Sequence, residues 1–471
     1  MTKSRNNSLV FFFSLEKPRL FVLLIFLMFP QFYFYSQEMP FLKVSNDQHF
    51  LETESGEPFF WMGDTAWELV HRLDKEEVLI YLKDRREKGF SVIQTVILAE
   101  QEGLNVPNAY GEKPLLKNDP GHLNEKYFEH LDFVLNEAEK SGLYVGLLPA
   151  WGDKFNKKWG VAPEILTPEN AEVYGELLGK RYKRYPNIIW ILGGDRIPET
   201  TEHYKIIQSL ARGIKKTDNN HLLSYHPSGA EIASDYFEED WLDIDMFQSE
   251  HSSLAKKYKY VLKEANKQTV RPVVNGEARY EDIPDRFWKD DYFGRLNEAD
   301  VRISAYWSML AGAAGYTYGS NDVWQIYSNE RTAIIDAQIG WKKALQLPGA
   351  EQMKFMKEFF TSLEWQKMSY APGLILSENP EDTAYIIAAK ASEFALFYTP
   401  EGRSFKANLQ QVNFQKIKAY WFNPRTGVLE KIQKSKILKS DIFEPPSSGK
   451  GRDCLLALLP KANTFNLNKI P

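Results

Sequence analysis

The sequence predicts an α/β chain: a (β/α)8 barrel of the TIM type followed by a small C-terminal β-sandwich domain. Three observations carry this. Short apolar segments alternate eight times with helical stretches over roughly residues 41–345. From residue 371 onward helical periodicity gives way to short β segments separated by turn residues. No glycine-rich phosphate loop follows the first strand, which disfavours the alternative, a doubly wound sheet.

The elements follow in order. Residues 58–67, "PFFWMGDTAW", read as a strand, and 75–89 as a helix with Val78, Leu79 and Leu82 on one face. Residues 90–99 are the next strand, and 124–142 a helix closed by a glycine. A strand over 143–151 precedes a helix over 168–185, and "IIWILGGD" (188–195) gives the fourth strand. A helix over 201–216, a strand in 221–229, a strand over 242–249 and a helix over 257–268 come next. "RPVVNGEARYE" (271–281) is the seventh strand, 298–315 a helix, and 315–321 the eighth strand. A helix over 352–366 leads to the β segments 373–378, 383–391, 393–402, 417–427, 428–433 and 454–460. The expected division is a leader over 1–36, the barrel over 37–368 and the sandwich over 369–471. No Pro/Gly/Ser-rich linker separates the last two, so the sandwich is expected to pack on the barrel, anchored by Trp421 and Phe422.

The leader is a reading of its own. Lys3, Arg5, Lys17 and Arg19 precede the apolar run 20–30, of signal-peptide length and short for a membrane span. Cleavage is expected after Ser36, although Phe34 is bulky for the position three before the cut; the alternative is an uncleaved N-terminal anchor. Either way the remainder is exported, to the periplasm or surface of a Gram-negative bacterium, with no stable membrane insertion of the mature chain. The single cysteine, Cys454, lies in an apolar run and reads as a buried thiol, with no disulfide framework and no cysteine metal site. A net charge of -5 argues against a nucleic-acid partner. Aromatic residues make up 14 % of the chain, which suits flat sugar faces as well as large cores.

Asp195 ends the fourth strand and Glu277 the seventh, and in a barrel both strand ends face one pocket. Alone, Asp195 after two glycines reads as a turn residue or helix N-cap. A pair of carboxylates in one pocket is what glycosidic hydrolysis needs. The glycines before Asp195 give a ring or loop room to approach the strand end. The other candidates for substrate contact at the strand ends are Asp64, Trp67, Gln94, Trp151, His226, Gln248, Arg279 and Tyr316. For Asp64 a turn cap, for Trp151 rim packing and for His226 a satisfied turn histidine are the competing structural readings. His226 and His251 could ligate a metal, but no HExxH or paired-His spacing supports it, and neither a metal nor a cofactor is expected. No G-x-S-x-G elbow supports an esterase. The long polar loop 100–122 is expected to shape the pocket.

"FFWMGDTAW", "IIWILGGD", "HPSG" and "PVVNGEARYE", in this order, resemble the apiosidase-like catalytic domain of glycoside hydrolase family 140, widespread in Bacteroidetes. "YWFNPRTG" (420–427) resembles the small β-domain that follows it, which carries a provisional collagen-binding label. The resemblance implies Asp195 as acid/base and Glu277 as nucleophile of a retaining, exo-acting enzyme that releases apiose from a side chain of the pectic polysaccharide rhamnogalacturonan-II. A retaining pair is expected ~5–5.5 Å apart, against ~6.5–9.5 Å for an inverting one. Burial and the charge of Glu277 are expected to raise the pKa of Asp195. Arg279, two residues beyond Glu277 on an extended strand, is the candidate for keeping Glu277 ionised. The alternative is a non-catalytic carbohydrate- or matrix-binding protein.

Overall fold

Eight parallel strands form a barrel: Trp61–Thr65, Val92–Leu98, Tyr144–Ala150, Ile188–Gly193, Leu223–His226, Asp245–Gln248, Val273–Glu277 and Gly315–Tyr318. The eighth pairs back onto the first, and a bridge between Ser224 and Ile244 joins fifth to sixth, so the ring closes. This is a computed structural model, and it describes residues 39–264, 267, 269–412, 417–433 and 440–460. The expected leader lies outside the described residues.

The strands are buried on both faces, which is why they read as near-continuous apolar runs. Period-two alternation sorts their side chains. Ile189 and Ile191 of the fourth strand join Val92, Val96, Leu148, Ile244, Met246 and Val274 inside the barrel. Ile188, Trp190 and Leu192 turn outward onto the helices. Helix starts are fixed by local chemistry. Asp74 and Glu77 form a capping box at Lys75–Glu87, Thr167 and Asn170 at Pro168–Tyr182, and Asn297 and Asp300 at Glu298–Leu310. The helix expected over 168–185 stops at Tyr182, because Tyr185 precedes a proline and is pushed out of helical geometry. The last barrel helix runs Pro348–Thr361, starting earlier than the expected 352 with a proline in its first turn. The helix expected over 257–268 is Tyr258–Glu264; residues 265, 266 and 268 lie outside the described residues.

One element was not foreseen. Leu42–Val44, Leu51–Thr53 and Pro58–Phe59 form a small antiparallel sheet. Leu42 and Leu51 join the barrel interior, and Tyr144, the first residue of the third strand, donates to Pro40 O at 2.6 Å. The sheet therefore plugs the N-terminal end of the barrel, opposite the end where strand-end side chains gather.

The C-terminal strands form two sheets. Six strands lie in the order Ser369–Tyr370, Ile387–Lys390, Ala395–Thr399, Cys454–Pro460, Ile417–Phe422 and Leu429–Lys431. Phe405–Asn408 pairs with Ser440–Phe443 as the second sheet. The segment 373–378 is not a strand; a tight turn at Pro372–Leu374 leaves only a bridge from Ile375 to Ala407. Alternation gives the central strand two jobs. Leu455, Ala457 and Leu459 face the barrel helices, whereas Cys454, Leu456 and Leu458 face the second sheet. The same rule separates the expected anchor pair. Phe422 packs on Phe359 of the barrel at a ring distance of 4.5 Å, but Trp421 points the other way, into the sandwich. Arg302 of the barrel helix Glu298–Leu310 grips Asp453 with Nε at 2.9 Å and Nη2 at 2.6 Å, both residues buried. From Met39 onward the described residues form one compact unit.

Candidate active site

A cavity of about 640 Å³ opens at the C-terminal ends of the strands, and Asp195 and Glu277 both line it. The turn carrying Asp195 is built from three consecutive residues with left-handed backbone: Gly193 at φ 89°, Gly194 at φ 104° and Asp195 itself at φ 54°. Two of these demand glycine for space as well as conformation. A Cβ on Gly193 would sit 2.6 Å from His226 O, and one on Gly194 would sit 3.0 Å from the Trp151 ring and the Gly152 nitrogen. The glycines thus let the third-strand tryptophan lie against the turn. Asp195 tolerates the left-handed region better than most residues do.

Glu277 is aimed by a different device. The seventh strand slips register against the sixth between Asn275 and Glu277, a bulge centred on Gly276. A Cβ there would lie 2.2 Å from Met246 Sδ. The bulge turns Glu277 toward two imidazoles. His226 Nε2 lies 3.1 Å from its Oε2, and His251 Nε2 lies 3.1 Å from its Oε1. Both rings have their tautomer set by backbone. The Asp195 amide donates to His226 Nδ1 at 3.2 Å and the Tyr280 amide to His251 Nδ1 at 3.3 Å. An Nδ1 that accepts leaves the ring proton on Nε2; His251 gives its Nε2–H to Glu277 Oε1, whereas His226 Nε2 lies close to Oε2 without the alignment of a hydrogen bond.

The electrostatics drive the two carboxylates apart. Burial pushes Asp195 up to about 8, helped next by the negative charge of Glu277 and opposed by Arg196. Its side chain keeps 22 % of its surface toward the cavity. Burial also acts to raise Glu277, but the His226 and His251 imidazoles against its two oxygens outweigh it and hold the group down at about 2. One is a buried acid, the other a carboxylate, at the same pH.

The proposed contact residues divide. Trp67, Trp151 and Gln248 line the cavity, and Gln248 Oε1 has no hydrogen-bond partner among the described residues. Trp67 donates from its indole to Tyr280 Oη at 2.9 Å, and the rings of Trp67 and Trp151 lie 5.1 Å apart. His226 sits behind Glu277. The other four point elsewhere. Asp64 turns outward and accepts from Arg85 Nε at 2.7 Å and Tyr81 Oη at 2.5 Å, fully buried under the helix Lys75–Glu87. Tyr316, two positions before Tyr318 on the same outer face, donates to Val301 O. Gln94 faces inward below the site, donating to Gly276 O at 2.8 Å and accepting from Thr317. Arg279 does not touch Glu277. The strand ends at Glu277, so the alternation that would have aligned them stops there. Arg279 instead donates to the carbonyls of Ser252, Ser253, Ala255 and Asp300, holding the turn just after His251.

Several site residues escaped the sequence reading. His251 was considered only as a metal ligand. Glu100, the first residue of the long loop, lines the cavity with Gln101 and is pushed up to about 7 by burial first and Asp153 next. Tyr280, from within the motif "GEARYE", lines the cavity together with Glu277 and accepts the Trp67 indole N–H. The rim aromatics Trp159, Phe287, Trp288 and Trp324 come from loops after the third, seventh and eighth strands. Exposed Trp in polar surroundings, as in "KKWG" and "RFWKDD", was the available signal. Among the described residues no group of three His, Cys, Asp or Glu is arranged to hold a metal ion.

Comparison with known proteins matches this geometry to relatives. The family "Apiosidase-like, catalytic domain" matches residues 45–367, and "Putative collagen-binding domain of a collagenase" matches 371–459. A solved glycoside hydrolase is 29 % identical with a TM-score of 0.83, over 90 % of this chain and 98 % of its own. A glycoside hydrolase family 5 structure from Bacteroides vulgatus ATCC 8482 is also 29 % identical, with a TM-score of 0.82 over 91 % of this chain and 94 % of its own. Mannan endo-1,4-beta-mannosidase 3 of Solanum lycopersicum is 24 % identical over 39 % of this chain and 51 % of its own length. The chain thus spans about half the length of the curated relatives it matches. With that match over the whole barrel and structural neighbours that are glycoside hydrolases, the chain belongs to the apiosidase-like catalytic-domain family, joined to a C-terminal domain of the collagen-binding type.

Proposed function

We propose that the protein is an exported, exo-acting, retaining glycoside hydrolase that cleaves a glycosidic bond in a plant pectic side chain. The observation that carries the reading is the opposed protonation of two carboxylates in one cavity, Asp195 raised to about 8 and Glu277 lowered to about 2. In this reading Glu277 attacks the anomeric carbon as Asp195 gives its proton to the leaving oxygen, and the glycosidic C–O bond breaks. The product is a glycosyl ester on Glu277 and a free alcohol. Esterification removes the negative charge that helped raise Asp195, so its pKa falls and it becomes the base. Water then loses a proton to Asp195 and attacks the same carbon, releasing the sugar with its original configuration and restoring Glu277. The family supports the choice of apiose as the released sugar. The tomato mannosidases put β-mannan in the test panel beside pectic oligosaccharides.

The test is release of monosaccharide from aryl glycosides, pectic side-chain oligosaccharides and β-mannan, followed by two variants. Glu277→Ala abolishes turnover on every substrate, and azide yields the inverted glycosyl azide. Asp195→Ala lowers rates by ~10²–10⁴-fold on poor leaving groups and far less on good ones. With azide it yields the retained glycosyl azide. Unchanged rates in both variants on a confirmed substrate would remove the carboxylate pair from the chemistry. Export is tested separately: cell fractionation finds the protein outside the cytoplasm, with its N-terminus at Gln37.

A further inference from the structure

Trp159 stands at the mouth of the cavity and lines it, yet it is 59 % exposed. A single buried cation holds it there. The Arg196 guanidinium lies 3.9 Å from the centre of the indole, with its own side chain fully buried. Its donors reach two stretches of chain. Nε donates to Asn156 O at 2.9 Å and Nη2 to Lys157 O at 3.2 Å, just ahead of the tryptophan. Nη1 donates to Asp195 O at 2.8 Å and lies 3.4 Å from Asp195 Oδ2. One planar group therefore ties the turn that carries the indole to the turn that carries the acid. The first of these turns is tight. The Gly160 amide donates to Lys157 O at 2.6 Å, and a Cβ on Gly160 would come within 2.2 Å of Asp153 Cβ. The turn is thus pressed onto Asp153, which is buried with its ion-pair partner Lys154. Lys158, its ammonium 5.6 Å from the same indole, is paired with Glu199 at 2.6 Å.

A second set of rings lies deeper. Trp67 and Trp151 are both buried, with ring centres 5.4 and 5.9 Å from the His226 imidazole, which sits against Glu277. For the chemistry to run, the anomeric carbon faces Glu277 and the leaving oxygen faces Asp195. The residue that departs therefore lies on the Asp195 flank, toward the mouth. We propose that Trp159 is a specificity-determining residue for the leaving group: its open face takes the C–H face of the sugar ring that departs, while Trp67 and Trp151 enclose the sugar that stays on the enzyme. The inference rests on the glycoside hydrolase reading and gives a role to a residue outside the carboxylate pair. Stacking removes apolar surface of both rings from water. The guanidinium beneath fixes the indole before substrate arrives, so little side-chain freedom is lost on binding. Because the same guanidinium also holds the Asp195 turn, the platform stands at a set position relative to the proton that the leaving oxygen receives.

The test uses the full chain and two substrates that share the sugar released in the panel. One is the shortest oligosaccharide that the panel shows to be cut. The other is the methyl glycoside of the same sugar, which needs the same proton from Asp195 but carries no ring on the leaving side. Trp159→Ala is expected to lower kcat/KM on the oligosaccharide by at least about tenfold more than on the methyl glycoside. Trp159→Phe, which keeps a smaller face over Arg196, recovers part of that difference. A merely structural role, or one exerted through Asp195, lowers both substrates together. Equal losses on the two, or no loss on the oligosaccharide, would overturn the inference and leave the hydrolase reading standing. A wild type that cuts nothing in the panel would overturn the hydrolase reading and the inference with it.

Discussion

His226 joins the two halves of the chemistry in one ring. Its Nδ1 receives the amide of Asp195 and its Nε2 turns toward Glu277. Hydrogen bonds to a charged group are worth ~1.5–3 kcal/mol. His226→Ala and His251→Ala should each raise the pKa of Glu277 toward the ordinary carboxylate value and lower kcat by roughly 30-fold, about 2 kcal/mol. The pH profile reads the sign. A raised Glu277 is protonated at higher pH, so the acid limb of kcat/KM moves upward in both variants. The alkaline limb belongs to the protonated form of Asp195, and activity in the wild type falls above about pH 8. Asp64 makes the contrasting case. It carries a strand-end carboxylate of the same chemistry as Asp195 and Glu277, yet alternation turns it onto Arg85. Asp64→Asn leaves Arg85 buried without its anion, and the expected outcome is a loss of about 3–5 kcal/mol in denaturant unfolding with the cavity residues unmoved. Local sequence cannot tell Asp64 from Asp195, because the inward or outward register of a five-residue strand depends on which neighbours it pairs with.

At the level of elements, the most legible features were those set by local chemistry. Eight strands, their order and the capped helices were readable because alternation, caps and glycine stops act within a few residues. The motif "GGD" was readable as a strand end but not as three left-handed residues in a row, since that follows from Trp151 and His226 packing against it. Gly194→Ala tests the turn. The added methyl has neither the backbone freedom nor the room, and the expected outcome is a drop in kcat of tenfold or more with lowered thermal stability. Gly276→Ala should act likewise through Met246, displacing the bulge that aims Glu277. The rim was less legible. Aromatics in long loops gain their meaning only when loops from three strands meet over one opening, which no spacing along the chain records. The plug at the bottom of the barrel was hidden for a related reason: its strands are two or three residues long, below the length at which alternation shows.

For the whole molecule, the join between barrel and sandwich is a core of its own. Tyr306, Met356, Phe359 and Phe360 from the barrel helices meet Ile387, Leu396, Phe422 and Leu455 from the sheet. Asp453 is centred in that join, receiving Arg302 and also Tyr398 Oη at 3.0 Å. Asp453→Asn should cost about 3–5 kcal/mol, read as a lowered Tm. In the wild type barrel and sandwich should melt in one transition, because a large apolar join couples them. Two separated transitions in calorimetry would show that the join is weaker than its packing implies. The strand Cys454–Pro460 sharpens the point. Its two faces serve two different cores, so it is a party wall and not a partition. A protease admitted to the exposed residues near Leu376 would sever the backbone and still leave one particle, two chains held by a shared wall. A cut between the two domains is then not a separation of them.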